Sequence, residues 1–144
     1  MSNITSMQLD IVSAEANIFK GIVKSITVTG SLGQLGIHPG HTALLTALKP
    51  GQLKAILEND KEEIFYLSGG MLEVQPESVS VLADTALRAD DIDEAAAEAA
   101  KERAEKALAE HRADMEYSAA LSELAQAAAQ LEAAKMLRKL KGKR

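Results

Sequence analysis

The chain has 144 residues, enough for one domain or two small ones, and with no Trp and only 3% aromatic residues its core must come from aliphatics and Ala. The absence of Cys excludes disulfides, thiolate catalysis and Cys-based metal sites. The formal net charge of −5 weighs against nucleic acid as the main partner, and it is uneven: residues 1–84 hold 9 acids and 5 bases, residues 85–134 hold 12 and 5, and residues 135–144 hold none and 6.

Met7, Leu9 and Ile11 alternate with Gln8 and Asp10, the period of a half-buried strand. Before them, Met1-Ser2-Asn3-Ile4-Thr5 has no basic stretch followed by an apolar run, so no signal peptide is expected. No apolar run approaches the roughly 18 residues of a membrane span, and a soluble cytoplasmic protein is the expectation. Ser13 to Asn17 reads as a polar turn, after which Phe19, Ile22 and Val23 restart the apolar pattern around Gly21. Ile26 and Val28 alternate with Ser25, Thr27 and Thr29 in a second strand. Gly30 to Leu45 reads as an irregular, exposed β-connection. Its three spaced glycines lack the Lys-Ser/Thr of a phosphate loop and the strand-then-helix context of a dinucleotide fingerprint. Ala43 to Leu48 is short and apolar, and Lys49-Pro50-Gly51 is expected to stop it as a turn. Leu53 to Leu57, a polar Glu58–Lys61 tip and Glu62 to Leu67 read as a hairpin. Beyond Gly69-Gly70, Met71 to Val74 and Val79 to Ala83 form another pair, joined by Gln75-Pro76-Glu77-Ser78. Short strands with frequent turn signals predict an all-β sandwich or barrel, which can close a core of its own at this length.

The pattern switches at Asp84. No Gly or Pro occurs from Thr85 to Lys141, and Ala dominates. Asp91 followed by Glu94 resembles a capping box, predicting a helix from Ile92 to about Glu110. A second helix follows, with Asp114 as its candidate cap and Tyr117, Leu121, Leu124, Ala128 and Leu131 as one apolar stripe. The two should form an antiparallel hairpin. The chain thus divides into a β-sandwich over 1–86 and a helical hairpin over 87–144. The facing positions are expected at Ala96, Ala99, Ala100, Ala107, Ala125 and Ala128, each burying about 0.8 kcal/mol of methyl surface. Such helices form readily and hold their partner loosely.

No catalytic constellation is legible. His38 and His41 flank Pro39-Gly40 with no further ligand in the run, so they read as exposed loop histidines rather than a metal site. Ser68-Gly69-Gly70 is not a nucleophile elbow, because Phe65-Tyr66-Leu67 precedes it rather than Gly-x. The basic tip, Lys135, Arg138, Lys139, Lys141, Lys143 and Arg144, has two readings. The cations complete a helix C-terminus, or they meet an acidic protein partner. RNA is disfavoured, because no aromatics are interleaved with the charges.

Val28-Thr29-Gly30-Ser31 with Gly36-Ile37-x-Pro39-Gly40-His41, then Leu44-Leu45-Thr46-Ala47-Leu48-Lys49-Pro50-Gly51, resembles the epsilon subunit family of bacterial F-type ATP synthase. So do Tyr66-Leu67-Ser68-Gly69-Gly70-x-Leu72-Glu73-Val74-Gln75-Pro76 and Val81-Leu82-Ala83-Asp84-Thr85-Ala86. The resemblance implies a flattened β-sandwich and a helical hairpin at the foot of the central stalk, on the cytoplasmic face of the inner membrane, without insertion into it. It implies a rotor subunit with no active site, joining the gamma subunit to the c-ring. Its helices would swing up to the alpha/beta catalytic hexamer and inhibit ATP hydrolysis. Ser31, Gln34, His38 and His41 would then face the c-ring and gamma, while Lys135, Arg138 and Lys139 would meet the hexamer. Some family members bind ATP on the folded hairpin through an Ile/Leu-Asp-x-x-Arg-Ala motif and a later Arg. Here Ile92-Asp93-Glu94-Ala95-Ala96-Ala97 keeps Asp93, and Arg103 stands where the later Arg falls. Ala96 occupies the first Arg position, so a bidentate phosphate partner is missing. The resemblance therefore implies no cofactor, with at most weak ATP binding at Asp93 and Arg103. The competing classes are a free-standing β-sandwich binding module with a coiled-coil arm, and a small enzyme.

Overall fold

The computed structural model describes residues 4–110 and 117–142. Its strands are β1 (Met7–Ser13), β2 (Asn17–Gly30), β3 (Gly33–Ile37), β4 (Leu44–Leu57), β5 (Glu62–Leu67), β6 (Gly70–Gln75), β7 (Ser78–Ala83) and β8 (Ala86–Arg88). A 3-10 turn at Ala89–Asp91 leads to α1 (Glu94–Glu110) and α2 (Tyr117–Gly142).

Two strands explain how one sheet becomes two layers. β2 and β4 are 14 residues each, well over twice the usual strand length of about 5–6, and each serves both layers. The first half of β2 pairs with β1, and its second half lies between β3 and β4. β4 pairs with β6 through Leu44–Leu48 and with β5 through Gly51–Ile56. One layer is therefore β2-β1-β7-β6-β4, and the other is β3-β2-β4-β5-β8. All pairings are antiparallel except β1 with β7. Leu9, Ile11, Ile26, Leu53, Phe65, Leu72 and Val79 fill the space between the layers. The expected alternation thus closes a sandwich core without help from the helices.

The connections differ from the sequence expectations in three places. Between β1 and Gly30 the described chain breaks only at residues 14–16, so the apolar restart at Phe19 and the alternation at Ile26 and Val28 belong to one strand. Gly33–Ile37 is not irregular: it pairs with Ile26–Gly30 as a hairpin. Lys49-Pro50-Gly51 does not stop β4. Between Val28 and Gly30 of β2, the facing partners on β4 jump from Leu53 to Leu48, so the extra residues bulge where β4 changes layer. Pro50 has no Cα partner there and forfeits no ladder hydrogen bond. A Cβ on Gly51 would fall 2.6 Å from the Thr29 Cβ, which lets the bend press on β2. At Gly70, φ is +139° and a Cβ would fall 2.1 Å from the Leu82 carbonyl oxygen, so that position admits only Gly.

The helical expectations shift by a few residues. Ile92 is extended (φ −77°, ψ 127°). Asp93 caps α1 in place of Asp91, its Oδ1 accepting the Ala96 N–H at 3.1 Å. Asp114 lies outside the described residues. The hairpin is antiparallel, with Arg138 against Glu94 and Arg103 against Glu123. α1 buries Ala97, Ala104 and Ala107, and α2 buries Ala120, Ala127 and Ala134 at a spacing of seven. Of the alanines expected to face the partner, Ala107 is buried and Ala100 half-buried, whereas Ala96, Ala99, Ala125 and Ala128 are exposed. The predicted Leu stripe is not the packed face either: Tyr117 is 67% and Leu121 43% exposed. Close-packed helices need small residues at the contact, so Ala takes the seam and the bulkier side chains are turned aside. A second buried face of α2, with Ala129 and Ala133, packs with Met136, Leu137 and Leu140 over Ile64 and Tyr66 of β5. β5 is consequently buried on both sides.

Candidate functional site

The sandwich and the arm present separate surfaces. On the sandwich, β2 and β3 meet in a tight turn at Ser31-Leu32, where the Ser31 N–H donates to the Ala47 carbonyl at 3.2 Å. Gln34 stands exposed on β3, the strand at the end of its layer. His38 is exposed beyond the far end of β3, and the His41 N–H closes the Pro39-Gly40 turn onto the His38 carbonyl at 3.1 Å. The Gly40 N–H ties this turn to the Pro76 carbonyl at 2.8 Å. Gln34 and His38 are four positions apart along extended chain, about 13 Å. The fold therefore puts Ser31 with Gln34 and His38 with His41, at opposite ends of β3, and does not gather all four.

Two apolar features of the sandwich escaped the sequence reading. Leu32, at the hairpin tip, is fully exposed. Its signal was an apolar residue between Ser31 and Gly33 in a turn. Val12, Leu82, Met71 and Ala47 are aligned as cross-strand neighbours over β1, β7, β6 and β4. Leu82 is 59% and Met71 39% exposed, on the layer opposite the one that carries α2. Their signal was an apolar residue on the polar phase of each strand.

The arm is docked by few polar contacts. Gln52 Nε2 of β4 donates to the Ala129 carbonyl at 2.9 Å. Burial raises the pKa of the Tyr66 hydroxyl, and a hydrogen bond with the Gln130 side chain partly opposes that shift. At the base of the arm, Arg88 donates to the Ile18 carbonyl at 3.1 Å and lies over the Phe19 and Phe65 rings, 5.8 and 5.5 Å from their centroids. This fastens β8 to the sandwich.

The tip cations divide into two groups. Arg138 bonds the Glu94 carboxylate and Lys141 bonds Asp90 at 3.2 Å. Lys135 and Lys139 are exposed and form no ion pair among the described residues. Lys143 and Arg144 lie outside the described residues.

Asp93 and Arg103 are not brought together. They stand ten positions apart, about 15 Å along the helix axis. Asp93 is engaged in capping, and Arg103 donates to Glu123 Oε1 from Nη2 at 2.8 Å and from Nε at 3.2 Å. Between the helices Ala96, Ala97, Ala100, Gln126, Ala127 and Gln130 line a cleft of about 250 Å³ that Glu123 also enters. Glu123 occupies the Arg103 guanidinium, and Ala96 has no side-chain donor to offer a phosphate. Among the described residues, no group of His, Asp and Glu is arranged to hold a metal ion.

Residues 6–89 match the family described as ATP synthase, Delta/Epsilon chain, beta-sandwich domain, and residues 90–135 match its long alpha-helix domain. The border between the two falls in the 3-10 turn. Among solved structures, the chain is similar to one in the Euglena gracilis mitochondrial ATP synthase (OSCP/F1/c-ring, rotational state 1). That match has a TM-score of 0.69 and 24% identity, covering 96% of this chain and 84% of the other. A chain of the Tetrahymena thermophila mitochondrial ATP synthase (central stalk/c-ring) aligns with a TM-score of 0.49 and 19% identity, over 62% of this chain and 72% of that one.

Proposed function

This chain belongs to the ATP synthase delta/epsilon chain family, and from that premise we propose that it is a non-catalytic rotor subunit of the central stalk. In this reading the sandwich couples the gamma subunit to the c-ring, and the helical arm restrains ATP hydrolysis by extending toward the alpha/beta hexamer. The observation that supports it most is the separation of two cores. The sandwich closes around its own residues, while the arm docks through a second, Ala-rich cluster on the outside of β5. A scaffold that stays folded while its arm leaves is what such a role requires.

The surfaces fit this division of labour. Ser31, Gln34 and the exposed Leu32 form the tip for the c-ring, and the Val12-Leu82-Met71-Ala47 row with His38 and His41 offers gamma an uncovered face. α2 is 26 residues long, about 39 Å, and continuous helix from Ile92 to Leu140 would reach about 70 Å. That reach would carry Lys135, Arg138 and Lys139 to an acidic surface of the hexamer. No helix of the described residues is long and apolar enough to cross a membrane, and the proposed place is peripheral, on the cytoplasmic face of a bacterial inner membrane. ATP is at most a weak ligand of the arm, because Ala96 supplies no phosphate contact.

The test is purification of the tagged chain from membranes washed at low and at high salt. Gamma and subunit c should be retained at both, since the proposed sandwich contacts centre on exposed apolar residues such as Leu32, Leu82 and Met71, which salt does not screen. Recovery of the chain free of both would remove the rotor assignment.

A further inference from the structure

The ionic contacts of the arm with the start of the helical segment are concentrated at one end. Because α1 and α2 are antiparallel, the first turn of α1 lies beside the last turns of α2. There Arg138 Nη1 donates to the Glu94 carboxylate and Lys141 Nζ donates to Asp90 Oδ1 at 3.2 Å. Asp90 belongs to the 3-10 turn that joins sandwich to arm, and Glu94 opens α1. Both acids therefore sit on the segment about which the arm would have to turn. Acids at a helix N-terminus and cations at a C-terminus each favour their own helix through its dipole. That effect needs no contact between the two helices, whereas here the side chains are bonded across.

We infer that Arg138–Glu94 and Lys141–Asp90 form an ionic latch, closing the end of α2 onto the hinge and masking two of the four described tip cations while the arm is docked. Release of the arm and exposure of its charge are then one event. The alanine seam makes the latch matter: between α1 and α2 each buried contact is a methyl group, so the two ion pairs tie the end of α2 to the hinge, beside the packing of Met136, Leu137 and Leu140 on Ile64. All four side chains are about half or more exposed, so the latch is screened by salt. It is a property of the free chain and stands apart from the assignment of any partner.

The test is amide hydrogen exchange of the intact, partner-free chain, following the last turns of α2 with the β1 and β7 amides as a fold control. Glu94→Gln and Arg138→Gln should each speed α2 exchange about two- to fivefold, as expected for an exposed pair. The double variant should be no faster than the faster single. Asp90→Asn, Lys141→Gln and their double should behave alike. Raising salt should speed exchange in the last turns of α2 more in the wild type than in the variant lacking all four charges, which keeps the distant Arg103–Glu123 pair between the helices. Single substitutions without effect would overturn the latch. So would a double variant whose effect is the product of the two singles, because independent dipole effects multiply.

Discussion

Ile64 separates the stability of the sandwich from the docking of the arm. It is 4% exposed and belongs to the cluster of β5 and α2, outside the sandwich core. Ile64→Ala removes three carbons, about 0.8 kcal/mol each, and leaves part of a cavity, for a total of about 2–3 kcal/mol. In a chain whose arm has left, Ile64 is open to water and the loss largely disappears. The cost therefore falls on docking, shifting that equilibrium about 30- to 150-fold toward the free arm. Phe65, the next residue, is fully buried in the sandwich core, and Phe65→Ala should cost the sandwich itself about 3–5 kcal/mol. Hydrogen exchange distinguishes the two. Ile64→Ala should raise exchange along α2, whose docked face loses its cover each time the arm leaves, and leave β1 and β7 protected. Phe65→Ala should raise exchange throughout the sandwich. If Ile64→Ala loosened β1 and β7 as much as α2, sandwich and arm would be one cooperative unit and the argument from two cores would fail.

Three further outcomes follow from named residues. Titration calorimetry should show weak or no ATP binding by the free chain, and Ala96→Arg should strengthen it by restoring a charge-assisted phosphate contact; tight binding by the unmodified chain would refute this. A Cys at Ser31 or Gln34, in a chain that has none of its own, should cross-link to the polar loop of subunit c in the assembled enzyme. Free access of a bulky thiol reagent to both positions in that enzyme would count against the placement. The pKa of Tyr66 is raised by burial, so β5 keeps that proton under the docked arm at a pH where it would lose it once the arm has left. Docking is then unaffected below about pH 9 and weakens as pH rises through 10 and above. Tyr66→Phe should flatten that part of the decline in denaturant midpoints, and an unchanged pH profile would mean that ionisation of Tyr66 is not involved.

The fold was legible wherever one face of an element meets a core and the other meets water. β1, β6 and β7 show the alternation in sequence because only one of their faces is buried. β5 did not reveal its double burial, since Ile64 and Tyr66 could have been read as either face until α2 was in place. The bulge at Lys49-Pro50-Gly51 carries the residues of a turn, and only the partner strand, with Thr29 against Gly51, shows that the chain bends and continues. The helices hid their packed face for a related reason. Hydrophobic periodicity points to the largest side chains, but a close helical seam selects the smallest, so Tyr117 and Leu121 misled and Ala120, Ala127 and Ala134 were passed over. The tip cations were visible as a charge run, whereas their pairing with Asp90 and Glu94 depends on the hairpin's register.

The central claim, that a self-sufficient sandwich carries a detachable inhibitory arm, is tested most directly by ATP hydrolysis in the reconstituted complex. Full-length chain is compared with one ending at Ala89, which keeps β8 and its pairing with β5. The truncated chain should assemble, support proton-driven ATP synthesis and hydrolyse ATP faster. Lys135→Ala, Arg138→Ala and Lys139→Ala together should give part of that rise. Equal hydrolysis with both chains would contradict the inhibitory arm, and failure of the truncated chain to assemble would contradict the self-sufficient sandwich.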